Sequence, residues 1–350
     1  MMSNIEQVIQ GIGPLQEEAI ARAEGHLNQL TKPPGSLGKL EEIARQVAGI
    51  TGETMPVFEK KAVVVMAGDH GVCEEGVSAF PAEVTPQMVM NFLAGGAAVN
   101  VLARQAGADV VCVDVGVNAD LEHPQLVSKK VRKGTRNMVR EAAMTREEAE
   151  RAIMAGVEVV EDLVRKGYTL FATGDMGIGN TTASSSLLCA LTGLEAGLAV
   201  GRGTGINDET WLHKQAVVQR ALEVHDPLGE DVLDVLAKIG GLEIAGLVGV
   251  ILGAAKHGCP VVIDGFISSA AALVATRLAP LSAAYLIASH LSQEQGHRRL
   301  LEAIGLEAML HMDMRLGEGT GAVLCFNLID AAGKIMREMA TFESAGVSRS

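Results

Sequence analysis

The chain has few aromatic residues, few cysteines and a deficit of positive charge. Seven Phe, two Tyr and one Trp make up 3% of its 350 residues. Lys and Arg number 29 against 42 Asp and Glu, a formal net charge of −13, so nonspecific binding to nucleic acid is not expected. The five cysteines, Cys73, Cys112, Cys189, Cys259 and Cys325, are widely separated. Without CxxC or a Cys/His ligand spacing they indicate neither a zinc site nor a disulfide framework. Four of them stand in apolar segments and read as small core residues, as suits a reducing cytosol. No apolar run can cross a bilayer, because the longest uncharged one, Ile244 to Ala255, has twelve residues and reads as a buried helix. Met1 to Gly13 carries Glu6 and lacks the basic start and apolar stretch of an export signal, so a cytoplasmic location is expected.

What is abundant is glycine: 40 residues, above the roughly 7% of an average chain. No G-X-Y period accompanies them, which excludes collagen. Apolar content of 48% excludes a disordered chain. The length suits one large domain with an appendage, or two domains. Ala, Val, Ile, Leu and Gly with few aromatics fit an α/β protein, whose tight strand-to-helix turns carry ligands. The one basic run, Lys129, Lys130, Arg132, Lys133, Arg136 and Arg140, reads as a solvated loop.

Residues 5–30 read as one helix, ending before Lys32-Pro33-Pro34-Gly35, which no helix can cross. A second helix is expected at about 37–50. Buried-strand runs follow at 62–67, 109–115, 168–173, 260–264 and 284–288, each ending near Gly, Asp or Ser. Helical stretches lie between them at about 85–106, 145–166, 181–193, 208–224, 241–257, 266–278 and 293–304. The stretch from 145 opens on Thr145-x-x-Glu148, a capping box. This alternation predicts a Rossmann-like parallel sheet with helices on both faces and ligands at the carboxyl ends of its strands. The two N-terminal helices and a helix at about 320–340 are expected to form a small helical domain, residues 1–50 with 320–350. Residues 51–319 form the large α/β domain.

Several segments can carry chemistry. Thr173-Gly174-Asp175-Met176-Gly177-Ile178-Gly179-Asn180-Thr181-Thr182 follows a strand and opens a helix. Its bare backbone N–H groups suit an anion such as phosphate, although a tight turn without a ligand has the same pattern. It is neither a Walker A loop nor a dinucleotide fingerprint. Gly201-Arg202-Gly203-Thr204-Gly205 can wrap a ribose phosphate with Lys214 as a point charge, or be a plain surface loop. In Arg315-Leu316-Gly317-Glu318-Gly319-Thr320-Gly321, Glu318 is either a capping acid or a base beside a flat ligand; capping alone requires no flanking glycines. In Ser289-His290-Leu291-Ser292-Gln293-Glu294-Gln295-Gly296-His297, His290 with Ser292 can bind a substrate or make a cap. No Gly-x-Ser-x-Gly elbow accompanies it, against a serine hydrolase. Phe80 and Met88 are apolar residues in a proline-marked loop, either anchoring that loop or touching a flat ligand. The three glycine-rich loops are expected to converge at one edge of the sheet.

Together these segments resemble the nicotinate-nucleotide–dimethylbenzimidazole phosphoribosyltransferase family. The landmarks are Lys32-Pro33-Pro34-Gly35-Ser36-Leu37-Gly38, Gly68-Asp69-His70-Gly71-Val72, Glu83-Val84-Thr85, Gly174 through Thr182, Leu252-Gly253-Ala254-Ala255, Asp264-Gly265-Phe266, Ser289-His290 and Arg315 through Gly321. Their order covers almost the whole chain. The resemblance implies transfer of the phosphoribosyl group of nicotinate mononucleotide to 5,6-dimethylbenzimidazole. The products would be α-ribazole 5′-phosphate, for the cobalamin lower ligand, and nicotinate. It implies Glu318 as general base and Asp175 as an auxiliary base. Asp stands at 175 where some members carry Glu, and it reaches less far. Gly174, Gly177, Gly179, Asn180, Thr181, Thr182, Gly203, Lys214, Ser292 and Gly317 would hold the nucleotide, and Phe80, Gln87 and Met88 would border the base. Phe80 replaces a smaller polar residue of at least one relative. The family's homodimer and its small domain built from both chain ends are implied too. No metal or cofactor is expected, because the pyridinium leaving group departs as a neutral ring.

Alternatives of other kinds are a nucleotide-binding regulator that lost the chemistry, and the same chemistry with benzimidazole or adenine as acceptor. An NAD-dependent oxidoreductase is disfavoured, because the first strand ends in Gly68-Asp69-His70-Gly71-Val72 where that fold requires GxGxxG.

Overall fold

The structure, a computed structural model, describes residues 4–203, 205–227 and 231–348. Among these, six strands, β1 Lys61–Gly68, β2 Ala108–Gly116, β3 Val127–Ser128, β4 Leu170–Met176, β5 Val261–Ile263 and β6 Leu286–Ala288, pair in parallel. Their order is β3-β2-β1-β4-β5-β6. The chain winds outward from β1 to one edge, returns to β4 beside β1, and winds to the other edge. Such a doubly wound sheet opens a crevice at the carboxyl ends where the winding reverses, here between β1 and β4.

Three helices precede the sheet: α1 Asn4–Gln10, α2 Glu17–Leu27 and α3 Lys39–Thr51. Between β1 and β2 lie α4 Val84–Leu93 and α5 Ala98–Ala106, and α6 Arg146–Arg165 leads into β4. From β4 to β5 the chain forms α7 Asn180–Thr192, α8 Ala196–Ala199, α9 Asp208–His225, α10 Val232–Ile239 and α11 Leu242–Lys256. Then come α12 Phe266–Leu278 before β6, and α13 His297–Ile304, α14 Thr320–Glu338 and α15 Phe342–Ala345 after it.

Alternation along β1 divides the core, because successive side chains point to opposite faces of a sheet. Val64 and Met66 join one apolar cluster with Ile153 and Val157 of α6 and Val248 of α11. Val63, Val65 and Ala67 join another with Ala44 and Val47 of α3, Val99 of α5 and Phe326 of α14. Helices from both ends of the chain therefore cover the second face. α11 is buried from Leu242 to Ala255, as its unbroken apolar run requires. It lies so close to α6 that a Cβ on Gly249 would meet the Ile153 carbonyl.

The expected capping box is present: Thr145 Oγ1 accepts the Glu148 N–H at 3.1 Å, and Glu148 Oε2 accepts the Thr145 N–H at 2.8 Å. Other expectations need correction. The helix expected over 5–30 is two helices, separated by Gly11, Gly13 and Pro14, with the Gln16 N–H bonded to the Gly49 carbonyl at 2.8 Å. Likewise 85–106 divides at Gly95, whose φ of 76° ends a right-handed helix. The 284–288 strand shrinks to Leu286–Ala288, because Pro280–Tyr285 forms a 3-10 helix. The 168–173 strand runs on to Met176, so Gly174 and Asp175 are sheet residues opposite Val65 and Met66. α10 was not anticipated; its signal was Asp231, whose carboxylate caps the Asp234 N–H at 3.1 Å.

Candidate active site

A cavity of about 740 Å³ opens at the carboxyl ends of β1 and β4. Its floor is the turn after β4. Gly177 lies so close to the end of β1 that a Cβ would strike the Gly68 carbonyl. The Ile178 N–H donates to Thr85 Oγ1 at 3.1 Å, and Cys73 Sγ donates to the Ile178 carbonyl at 3.1 Å. Gly179, with φ of 94°, ends the turn and starts α7. The backbone between β4 and α7 is thus held from two neighbouring segments while facing the cavity.

One wall is positively charged. Lys214, buried on α9, donates to Thr181 Oγ1 at 2.6 Å. Burial lowers its pKa to about 8, against the opposing pull of Glu294. Arg315 donates to the Gly203 carbonyl at 2.9 Å, joining the second glycine loop to the segment before α14. Thr204 of that loop lies outside the described residues. Ser292 is oriented from behind: its N–H donates to His297 Nδ1 at 2.8 Å, and His297 Nε2 lies 2.9 Å from Ser269 Oγ. Burial, then His290, lowers the His297 pKa to about 3, so this imidazole stays neutral and accepts.

The lining also carries carboxyl groups. Glu318 sits on a turn in which Gly317, Glu318 and Gly319 have φ of 82°, 64° and 91°. Three consecutive left-handed residues explain the flanking glycines better than capping does. Burial raises the Glu318 pKa to about 7, with Asp264 adding to the rise and the Val99 amide opposing it. Among the described residues its Oε2 has no hydrogen-bond partner. Asp175 is also buried and accepts from Asn180 Nδ2 at 2.9 Å. Burial, then Asp264, Glu243 and Glu318, raise its pKa well above the usual carboxylate value. At the mouth stand Met88 and Phe80, the latter 52% exposed.

Among the residues singled out in the sequence, Asp175, Gly177, Gly179, Asn180, Thr181, Gly203, Lys214, Ser292, Gly317, Glu318, Phe80 and Met88 line the cavity. Gly174, Thr182 and Gln87 do not. Gly174 lies in β4, and a Cβ there would come within 2.5 Å of the Glu318 carbonyl. Thr182 is buried, and Gln87 points to solvent. Of the nine loop glycines only Gly177, Gly179, Gly203 and Gly317 face the cavity. Gly319 and Gly321 are packed against Val63 and the His290 ring. The lining also includes Ile178, Phe266, Glu294 and Arg315. Arg315 and Glu294 stood in segments already singled out, whereas Phe266 figured only in the landmark Asp264-Gly265-Phe266, with no role read from it.

The basic run is paired with acids, Lys129 with Glu158 at 2.7 Å, Lys130 with Asp114 at 3.1 Å, Arg132 and Arg136 with Glu148, Lys133 with Asp120, and Arg140 with Glu74. None of these bases lines the cavity.

A parallel doubly wound sheet, a glycine turn at a helix start, and a buried lysine facing a carboxyl are the parts of a nucleotide-handling transferase. The sequence model of the phosphoribosyltransferase family matches residues 12–347, so the chain is an enzyme of that class. It is 56% identical over 348 residues, 99% of each chain, to the nicotinate-nucleotide–dimethylbenzimidazole phosphoribosyltransferase of Chloroflexus aggregans. It is 52% identical to the Geobacter sp. strain M21 protein of the same name, over 99% of this chain and all of that one. The crystal structure of CobT from Thermus thermophilus superposes with a TM-score of 0.92 at 50% identity, covering 95% of this chain and 100% of that one. The chain belongs to the nicotinate-nucleotide–dimethylbenzimidazole phosphoribosyltransferase family.

Proposed function

We propose that this enzyme transfers the phosphoribosyl group of nicotinate mononucleotide to 5,6-dimethylbenzimidazole, giving α-ribazole 5′-phosphate and nicotinate. The observation that carries the reading is a single cavity in which a carboxyl with a pKa near 7, Glu318, shares the space with a glycine turn and buried Lys214. One ring nitrogen of the acceptor attacks C1′ of the ribose. The ring becomes cationic and its other N–H becomes acidic. Glu318 takes that proton, since a base whose pKa is near the working pH combines availability with driving force. The C1′–N bond to the pyridinium breaks, its electron pair stays on nitrogen, and nicotinate leaves as a neutral ring. Attack from the face opposite the leaving group turns a β-nucleotide into an α-product.

The Gly177–Thr181 backbone, Lys214, Gly203 and Ser292 would hold the phosphate and ribose, and Phe80 and Met88 would border the flat acceptor. Asp175, whose carboxyl feels the charge of Glu318, would share the proton. A homodimer, a cytoplasmic location, and a division into residues 1–50 with 320–350 and residues 51–319 complete the proposal; no helix among the described residues is long and apolar enough to cross a membrane. The test mixes protein, nicotinate mononucleotide and dimethylbenzimidazole and measures nicotinate release by chromatography. Release that depends on the acceptor supports the reading, and binding without release points to a regulator. Equimolar dimethylbenzimidazole, benzimidazole and adenine in one reaction rank the acceptors.

A further inference from the structure

The turn that carries Glu318 is held from outside its own helix. No side chain of α14 caps its first turn. The cap comes from the residue after β5. Asp264 Oδ2 accepts the Gly319 N–H at 3.1 Å, and Oδ1 accepts those of Gly321 at 2.7 Å and Ala322 at 3.0 Å. Asp264 is buried and does not line the cavity. Behind it, His290 Nδ1, beyond the end of β6, lies 3.8 Å from Asp264 Oδ1, and the His290 ring fills the space beside Gly321. Left-handed backbone is disfavoured for any residue with a Cβ. Such a residue persists only where its surroundings over-determine it, and three hydrogen bonds to one buried carboxylate do so here.

We propose that Asp264 is the positioning residue of this active site: it fixes Glu318 on its left-handed turn and supplies the negative charge against which the Glu318 carboxyl ionises. The inference rests on reading Glu318 as the general base. Burial raises the Asp264 pKa, while His290 and the three N–H donors pull it back toward the anionic form. The other ionisable groups around the pair come from each packed element: Asp175 from β4, His290 from beyond β6 and Cys325 from α14. Burial raises Cys325 to about 12, leaving it neutral near pH 7, and burial also suppresses the charge on Asp175. A negative Asp264 therefore raises the pH at which Glu318 becomes a base, and removing its charge lowers that pH.

The test compares pH profiles of kcat and kcat/KM for wild type, D264N, E318Q and the double variant. In wild type an acid limb near pH 7 is expected. In D264N the limb moves about one pH unit toward acid. Plateau kcat falls about 10²-fold, as for a misplaced reacting group, and the nucleotide KM changes little. On the E318Q background D264N costs no more than about threefold, because residues that act as one unit are non-additive. An unmoved limb in D264N, or the hundredfold loss reappearing on the E318Q background, overturns the proposal. If D264N does not fold, D264E decides, because it keeps the carboxylate but displaces it from the three amides: a plateau kcat at least about tenfold below wild type with the nucleotide KM little changed supports the proposal, and wild-type kcat overturns it. Full turnover by E318Q would refute the base reading itself, and the single variant alone reveals that.

Discussion

Gly174 offers a sharp test of how backbone packing serves catalysis. A Cβ at 174 would stand 2.5 Å from the Glu318 carbonyl oxygen, 2.9 Å from its carbon and 3.0 Å from Val65 Cγ2. Contacts below 3.0 Å are essentially never seen, so in Gly174→Ala the Glu318 turn must retreat by at least about 0.5 Å. β4 cannot yield instead, because Gly174 is in register with Val65 in the middle of the sheet. Overpacking of this kind costs about 1–3 kcal/mol, and displacing a reacting group by about 1 Å can cost 10²-fold in rate. We expect G174A to melt a few degrees lower and to lose about 10–100-fold in kcat, with the nucleotide KM little changed. Gly25→Ala is the control: Gly25 is an exposed residue of α2 with nothing within 4 Å of a Cβ, and alanine there should stabilise by about 0.5–1 kcal/mol with kcat unaltered. The assay is steady-state nicotinate release beside thermal unfolding. A G174A enzyme with wild-type kcat, whatever its melting point, would refute the claim that this glycine makes room for the Glu318 turn.

E318Q should lower turnover by about 10²–10⁴, the usual share of a general base. It should also stabilise the fold above neutrality. The folded pKa near 7 lies above the unfolded value of 4.5, so wild type loses stability as pH rises through that window. The variant should thus melt a few degrees higher than wild type at pH 8 but not at pH 4; equal melting points at both pH values would contradict the buried-charge reading. Lys214→Gln should raise the nucleotide KM about 10–100-fold, matching the 1.5–3 kcal/mol of a charge-assisted hydrogen bond. In wild type that KM should rise as pH climbs through about 8, where Lys214 loses its proton, and this rise should be absent in the variant. His297→Gln should leave the acid limb of the pH profile in place, because this imidazole, with a pKa near 3, carries no proton that the reaction uses.

Most of the fold was legible because its signals are local. Five of the six strands are apolar runs that end near Gly, Asp or Ser, and the Thr145–Glu148 box marks α6. The two helix errors share a cause. Gly11, Gly13 and Pro14, and Gly95 with Gly96, interrupt stretches whose apolar spacing still looks helical, and periodicity counts outweighed the breakers. β3 escaped because two residues, Val127 and Ser128, are too few to show a period. At the site, the glycine turn, Lys214 and Glu318 stood out by residue type. Asp264 did not, because an aspartate at a strand end is common and its role lies in three amides 55 to 58 residues away.

By itself the sequence determined the parallel α/β class, the family and the segments that meet at the cavity, since periodicity, turn chemistry and motif order are properties of the chain. Only the tertiary structure decided what individual residues do there. Gly174, expected at the nucleotide, leaves room for the Glu318 carbonyl, and the glycines beside Glu318 serve a left-handed turn. Burial, and a buried carboxylate just beyond the end of β5, raise the Glu318 pKa to about 7. Electrostatics and close packing act through space, and no local pattern encodes which distant groups the fold brings within a few ångströms.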